Sequence, residues 1–169
     1  MSALEDRIIT WLQDAHAMEV QGETMLAGMV GRLSAYPDLR ARIGMHVEDT
    51  RRQAGRLRDC LERRGQSTSA VKDAGGWFSA MGQGLTGMMA DDEVVKALLA
   101  ASAFEQMEIA SYRILIAAAA IANDGEVRGF CAVSLDEELA MQNWLAENTP
   151  VVVAQYFQKQ ATVPQPFLP

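Results

Sequence analysis

Proline is scarce in this sequence, and its five residues leave two long stretches, 1–36 and 38–149, without a helix breaker of this kind. Both stretches can therefore form long helices. No segment alternates apolar and polar residues in the manner of a β-strand. The absence of this pattern excludes the nucleotide-binding α/β folds. The prolines are Pro37, Pro150, Pro164, Pro166 and Pro169.

Cysteine and long apolar runs are also scarce. The two cysteines, Cys60 and Cys131, have no C-x-x-C spacing, which excludes a redox motif or a zinc knuckle and leaves them as core thiols. The longest apolar run, residues 114–122, has about half the roughly 20 residues that a membrane-spanning helix needs. Residues 1–7 lack the basic start and apolar core of a secretory signal. We therefore expect a cytoplasmic protein with no membrane span.

Basic residues are outnumbered, since 15 Lys and Arg against 22 Asp and Glu give a formal net charge of −7. Such a chain suits neither phosphate neutralisation nor an anionic lipid surface, so we expect no nucleic-acid partner and no membrane partner. The charge is uneven, because residues 40–64 hold eight arginines and four acids, a net +4 against −11 for the remainder. This stretch is either a solvated outer face or an interface for an acidic surface of another subunit.

What the sequence does contain is helical periodicity. Apolar residues recur at spacings of three and four, which predicts amphipathic helices over residues 4–33, 38–65, 91–123 and 126–147. Thr149-Pro150 is typical of an N-cap followed by proline at the first helical position, and it predicts a short C-terminal helix to about residue 160. Five glycines in residues 75–87 predict a short or irregular connecting helical segment.

These elements predict an all-α fold, an up-down four-helix bundle with long helices. One domain fits the length of the chain. We place the bundle at residues 1–160 and a C-terminal tail at 161–169.

Acids and one histidine occupy positions that helical periodicity assigns to the core. The first and fourth helices each offer a single carboxylate, whereas the second and third offer pairs spaced three residues apart, which share a helix face. Several mutually repelling carboxylates in one core are prohibitively costly unless cations lie among them. Di-iron and di-manganese bundles use a similar ligand pattern. The candidate metal ligands are Glu19, His46, Asp49, Glu105, Glu108 and Glu138.

Other polar residues near these apolar stripes also have purely structural interpretations. Glu23 and Glu137 fall at the edges of their stripes, so we expect them to be boundary residues. His16 lies three residues before Glu19 and is either a ligand or neighbour of the site, or a polar flank. Tyr112, one turn beyond Glu108, is either a hydrogen-bond donor or redox neighbour of the metals, or core filler.

Four motifs, one on each predicted helix, lie within about residues 4–148. They are Asp14-Ala15-x-x-x-Glu19, His46-Val47-Glu48-Asp49-Thr50-x-x-Gln53, Glu105-x-x-Glu108-Ile109-Ala110-x-Tyr112 and Leu135-x-Glu137-Glu138. In order and spacing the chain resembles the YciF-type ferritin-like family of bacterial stress proteins. The resemblance implies a ferritin-like bundle with a dinuclear metal site, usually dimeric. Related ferritin-like branches oxidise ferrous iron or dismutate peroxide.

The chain departs from the family pattern on all four helices. The third helix reads Glu105-Gln106-Met107-Glu108 and lacks a histidine that the family often has. Asp49 stands where the family commonly has the longer glutamate, and His16 stands where an aromatic residue is expected. The fourth helix also lacks the histidine that would complete a ferroxidase-like or catalase-like ligand set.

Two functions are compatible with these patterns. The first is a di-metal oxidoreductase in which two iron or manganese ions react with oxygen or peroxide. The second is a non-enzymatic homodimeric stress or interaction protein with a vestigial or structural metal site, whose candidate contacts are the arginine-rich stretch and residues 75–87. Iron storage in a shell is less favoured, because nothing in the sequence identifies a cage-forming surface.

Overall fold

The computed structural model describes residues 3–68 and 92–162. These contain four α-helices and no β-strand, which confirms the predicted all-α four-helix bundle. None of these helices is both long and apolar enough to span a membrane. The predicted connecting segment at residues 75–87 and most of the predicted tail lie outside the described residues. The helices are α1 (Ala3–Val30), α2 (Pro37–Arg63), α3 (Glu93–Ile121) and α4 (Gly125–Thr162).

Side-chain contacts fix the directions of the helices. Arg32, just after α1, lies 3.2 Å from Glu93 at the start of α3, whereas Tyr112 near the far end of α3 contacts Glu19 on α1. The two helices are therefore antiparallel. The short connections at residues 31–36 and 122–124 make α1–α2 and α3–α4 antiparallel hairpins.

It follows that α2 and α3 run in the same direction, so the end of α2 and the start of α3 lie at opposite ends of the bundle. The helices do not alternate strictly up and down, and a single long crossover is the arrangement of ferritin-like bundles. The sequence did not predict this order, because hydrophobic periodicity reports which face of a helix is buried but not the direction in which the helix runs.

The prediction of a separate short helix after Pro150 is wrong, because α4 continues through Pro150 to Thr162. Instead of capping a new helix, Thr149 donates its hydroxyl to the carbonyl of Leu145 at 2.7 Å. The helix beyond the proline is held by packing, since Val152 is buried in the core and Tyr156 packs partly against it. Tertiary contacts therefore outweigh the hydrogen bond that proline removes.

The buried side chains form two apolar clusters with a polar layer between them. One cluster contains Met25, Phe104 and Leu145, and the other contains Leu12 and Leu115. Cys60 and Cys131 are both buried, unpaired thiols in the second cluster, as predicted. The buried polar side chains between the clusters include Glu19, His46, Thr50, Gln53, Glu105, Glu108, Ser134 and Glu138.

The arginine-rich stretch is largely neutralised within the chain. Arg56 forms a bidentate pair with Glu137 on α4, and Arg63 and Arg64 pair with Glu126 at the start of α4. The pairing favours an outer face whose charges are satisfied internally over an interface that awaits an acidic partner. The remaining arginines with carboxylate partners on their own chain are Arg51, Arg52 and Arg58.

Candidate metal centre

The polar layer is built from side chains of every helix. Four carboxylates and one imidazole in it have no exposed surface at all. Each belongs to the stripe that helical periodicity turns toward the bundle axis. They are Glu19 on α1, His46 on α2, Glu105 and Glu108 on α3, and Glu138 on α4.

His46 lies at the meeting point of three helices. Its Nε2 is 3.1 Å from Oε2 of Glu105 and 3.3 Å from Oε2 of Glu138, although neither contact has the alignment of a hydrogen bond. One ligand atom from each of His46, Glu105, Glu108 and Glu138 lies within 4.8 Å of all the others. Two ligands on opposite sides of one metal ion are about 4.2 Å apart, so the group has the dimensions of a metal site.

Asp49 occupies a different position from the other predicted ligands. Its Oδ2 lies 3.5 Å from Nδ1 of His46, on the opposite side of the imidazole from Glu105, while its Oδ1 accepts from Arg52. Its side chain is 20% exposed. A carboxylate at this point is placed to orient the ring of a ligating histidine rather than to join the ligands.

Glu19 lies outside the group of four and is held by a tyrosine. The hydroxyl of Tyr112 donates to Oε1 of Glu19 at 2.6 Å, and Oε2 of Glu19 has no hydrogen-bond partner among the described residues. Of the two interpretations of Tyr112, the hydrogen-bond donor is thus confirmed. The contact leaves one oxygen of Glu19 available in the polar layer.

Unpartnered atoms are the main feature of this layer. Within the described part of the chain, nine buried nitrogen and oxygen atoms of its four fully buried carboxylates and its imidazole make no hydrogen bond. Buried polar atoms are normally paired, so a group of this size requires an explanation. Divalent cations would satisfy all the oxygens and Nε2 at once, and this donor set suits iron or manganese. The atoms are Oε2 of Glu19, both ring nitrogens of His46, and both carboxylate oxygens of Glu105, Glu108 and Glu138.

The pKa values of the buried groups in the layer reflect the same lack of compensating positive charge. Burial first, and then neighbouring carboxylates, raise the pKa values of Glu19 and Glu108 well above their usual range. Burial also raises the pKa of Glu105 to about 8. Burial lowers the pKa of His46, but Glu105 and Glu138 outweigh it and bring the value to about 10. Without a cation, protons must therefore supply part of the missing positive charge.

The predicted boundary residues lie at the rim of the layer. Glu137 is next to Glu138 but turns toward α2, where Arg56 donates to both of its oxygens at 2.6 and 2.8 Å. Glu23 accepts from Arg51 at 2.7 Å. His16 is half-buried, and its pKa is lowered by burial and then by the charge of Arg58. This position favours the polar flank over the ligand interpretation.

Sequence reasoning missed the role of Gly22. It lies on the buried face of α1, three residues after Glu19. A Cβ atom there would be 2.6 Å from Cε1 of Phe104 and 3.0 Å from Oε1 of Glu108. Gly22 therefore provides the space that α3 and the Glu108 carboxylate occupy. A glycine on an otherwise apolar stripe was the available signal, but it did not identify the opposing residues.

We expect Gly22→Ala to destabilise the protein by about 1–3 kcal/mol, the usual cost of overpacking a core. Gly28→Ala is the matched control, because it lies in the same helix with nothing within 4 Å of its added Cβ. Its higher helix propensity should stabilise by about 0.5–1 kcal/mol. Urea unfolding of both variants measures the difference, and a neutral Gly22→Ala would contradict the close packing at this point.

Fold and site together define a class: a one-crossover four-helix bundle with a buried carboxylate–histidine cluster at its centre. The chain belongs to the family described as "Domain of unknown function (DUF892)", which matches residues 3–158.

Solved structures resemble the chain over nearly its full length. A protein of Xanthomonas campestris pv. campestris is 38% identical with a TM-score of 0.81, over 95% of this chain and 99% of that one. YcfI of Rhodopseudomonas palustris is 26% identical with a TM-score of 0.73, over 86% and 94%. The E. coli stress protein YciF is 22% identical with a TM-score of 0.76, over 87% and 94%, which shows a shared fold. The resemblance to a YciF-type family is thus confirmed.

Proposed function

We propose that this protein is a stress-associated di-metal oxidoreductase, in which the buried cluster holds two iron or manganese ions that react with oxygen or peroxide. The group of nine unpartnered polar atoms in the centre of the bundle carries the proposal. Such an arrangement is costly for a purely structural core, because these buried atoms lose their solvation without gaining a hydrogen bond. The E. coli relative is named a stress protein, which supports the biological setting.

The proposed ligands are a group of four side chains and one further carboxylate. His46, Glu105, Glu108 and Glu138 form the set whose atoms already lie within 4.8 Å of one another. Glu19 adds one further carboxylate near this set. The charge of Glu138 raises the pKa of Glu19, and the charge of Glu19 raises the pKa of Glu108. In the proposal the four residues of this set, together with Glu19, would hold the two ions. Asp49, predicted as a ligand, lies outside this set, with its Oδ2 3.5 Å from Nδ1 of His46.

The metal ions would supply the change of oxidation state and an open coordination position. The chain supplies orientation and exclusion of water. Tyr112, itself fully buried, keeps its proton, since burial and then Glu19 raise its pKa well above the usual range. It can therefore donate continuously to Oε1 of Glu19 and keep Oε2 directed at the site. The apolar clusters on both sides keep the layer dry.

Metal analysis followed by a consumption assay tests the proposal. We expect close to two iron or manganese ions per chain after loading of the chelator-treated protein, and metal-dependent consumption of hydrogen peroxide or oxygen. Less than about a tenth of a metal per chain would reject the metal site, since such sites normally bind far above this level. Glu137→Gln, at the rim, should retain the metal, because Glu137 is already satisfied by Arg56.

A second candidate remains distinct from the first. A non-enzymatic homodimeric stress protein would bind metal structurally and consume neither oxygen nor peroxide. The absence of a histidine beside Glu105 and Glu108 favours this candidate, because His46 is then the cluster's single nitrogen donor. Stoichiometric metal without turnover would establish it. Both candidates include a homodimer and a cytoplasmic location.

A further inference from the structure

A groove of about 400 Å³ lies between α1 and α3. Met18 and Leu115, both 1% exposed, form its floor, and the exposed residues Ala110 and Ile114 lie at its mouth. Clefts that bind small organic molecules usually have volumes of roughly 300–1,000 Å³. The groove is therefore large enough for a small organic molecule, and larger than oxygen or hydrogen peroxide alone would need.

The groove lies at the level of the polar layer. Met18 belongs to the first apolar cluster and Leu115 to the second, and the layer lies between the two clusters. Met18 and Ser111, which both line the groove, directly precede Glu19 and Tyr112 in the sequence, the two residues that contact each other in the layer. A molecule in the groove would therefore lie beside the candidate metal centre, on the α1–α3 side of the bundle.

Among the described residues that line the groove, Asp14 is the one with a charged side chain. Its Oδ1 is buried and makes no hydrogen bond within residues 3–68 and 92–162. Burial raises the pKa of Asp14, and no cation in the described part of the chain offsets this effect. The other lining residues are apolar or aromatic except for Ser111. Buried carboxylate oxygens are normally paired, so Asp14 is suited to a donor that a bound molecule supplies.

The charge of Asp14 determines which chemical group suits the groove. We propose that the groove binds a small apolar molecule with one amine group, whose ammonium pairs with the carboxylate of Asp14 while its apolar part packs over Met18 and Leu115. Hydrogen bonds that involve ionised groups are about twice as strong as neutral ones, which favours an ammonium over a hydroxyl. An anionic molecule is repelled by Asp14 and by a chain whose net charge is −7.

This binding goes beyond the proposed function and does not depend on the metal ions, because Asp14 is not among the proposed ligands. Metal content and amine binding are separate measurements, so either can fail while the other succeeds. Other occupants are outcomes of the same test. Apolar residues of this chain, or of a second copy, packed into the groove would exclude the amine from it.

Calorimetric titration of the full-length protein tests the site, with a chelator present so that metal ions take no part. Octylamine should bind with a dissociation constant of about 0.1 mM or lower. Octanol should bind at least about ten-fold less tightly because it carries no charge, and octanoate less tightly still. Hexylamine should bind about 15-fold less tightly than octylamine, since each methylene removed from water contributes about four-fold in affinity.

Asp14→Asn tests the role of the charge. This variant should bind octylamine and octanol with nearly equal affinity, because a neutral amide does not attract the ammonium. Asp136→Asn is the matched control, since it makes the same change at an exposed aspartate on α4. The control should keep the preference for the amine.

Ala110→Trp tests the position of the site. The new side chain would fill the groove from its exposed mouth, so both octylamine and octanol should bind at least about ten-fold less tightly. An unchanged melting temperature would confirm that the fold is intact. Ala117→Trp is the control, because Ala117 is also exposed on α3 but does not line the groove. This control should bind both molecules as the wild type does.

Four results would each overturn the proposal. The first is a wild-type dissociation constant for octylamine above about 1 mM, whichever residues then fill the groove. The second is equal affinity for octylamine, octanol and octanoate, which would show an apolar surface without selection by charge. The third is a preference for the amine that survives Asp14→Asn. The fourth is binding that Ala110→Trp leaves unchanged.

Discussion

The metal-free protein is expected to lose thermal stability as the pH rises from 5.5 to 8.5, and binding of Mn²⁺ or Fe²⁺ is expected to reverse this trend. The pKa of Glu105 is about 8 in the folded protein, against 4.5 when it is exposed. Between these values the folded state holds a proton that the unfolded state has lost. Stability therefore falls with rising pH across this window.

The other groups in the layer act in the same direction. His46 has a folded pKa of about 10 against 6.5, so its contribution is present below about pH 6.5 and is lost toward pH 10. Glu19 and Glu108 also have raised pKa values, chiefly because they are buried. One excess proton in the folded state changes stability by about 1.4 kcal/mol per pH unit. For a chain of this size, three pH units should lower the melting temperature by about 10 °C.

Metal binding reverses the sign of this pH dependence because the ligands must lose their protons to coordinate an ion. Affinity therefore rises with pH, and an ion at about a thousand times its dissociation constant stabilises by about 4 kcal/mol. Calorimetry of chelated and Mn²⁺-loaded protein at pH 5.5, 7.0 and 8.5 would measure both trends. A chelated protein that becomes more stable toward pH 8.5 would show that the buried carboxylates are compensated in another way.

The sequence could predict the polar layer because the buried positions of a long helix recur with the helical repeat. Glu19, Glu105, Glu108 and Glu138 interrupt apolar stripes, and all are fully buried as expected. Whether they bind metal stays a prediction. Asp49 shows the limit of this reasoning: residues three apart share a face, but both members of a pair do not always reach the axis as Glu105 and Glu108 do. On α2 only His46 does so, and Asp49 lies at the edge beside it.

Other features depend on contacts between distant parts of the chain and could not be read from local patterns. Pro150 suggested a helix boundary, but the packing of Val152 and Tyr156 carries α4 past it. The role of Gly22 depends on Phe104, some 80 residues away.

A single-atom change at Glu108 should both stabilise the metal-free protein and weaken metal binding at least 100-fold. Glu108→Gln keeps the shape of the side chain but removes a fully buried carboxyl whose pKa is raised well above its usual range, mainly by burial. The wild-type protein must either bury that charge or protonate it at the expense of stability. At pH 8 the variant should gain about 1–3 kcal/mol, because the amide carries no charge that must be desolvated.

Glu137→Gln is a closely matched control, because it makes the same change at a partly buried glutamate near the same layer. The pKa of Glu137 is pushed up by burial, but Arg56 and Gln53 outweigh this and lower it. Loss of its charge leaves the partly buried Arg56 with a weaker partner, so this variant should lose about 1–2 kcal/mol. Urea unfolding at pH 8 with a chelator compares the two variants and the wild type.

Metal titration completes the experiment, because the variant that is more stable without metal should be the one that binds metal less tightly. Glu108→Gln should weaken Mn²⁺ binding at least 100-fold, since an amide oxygen carries no charge and the ligand set loses a carboxylate. Glu137→Gln should bind within a few-fold of wild type. A Glu108→Gln variant that is less stable than wild type without metal would mean that the carboxylate belongs to a satisfied structural network. Greater stability without metal, together with lost binding, would instead mean that the cost of burying Glu108 is tolerated for the metal site.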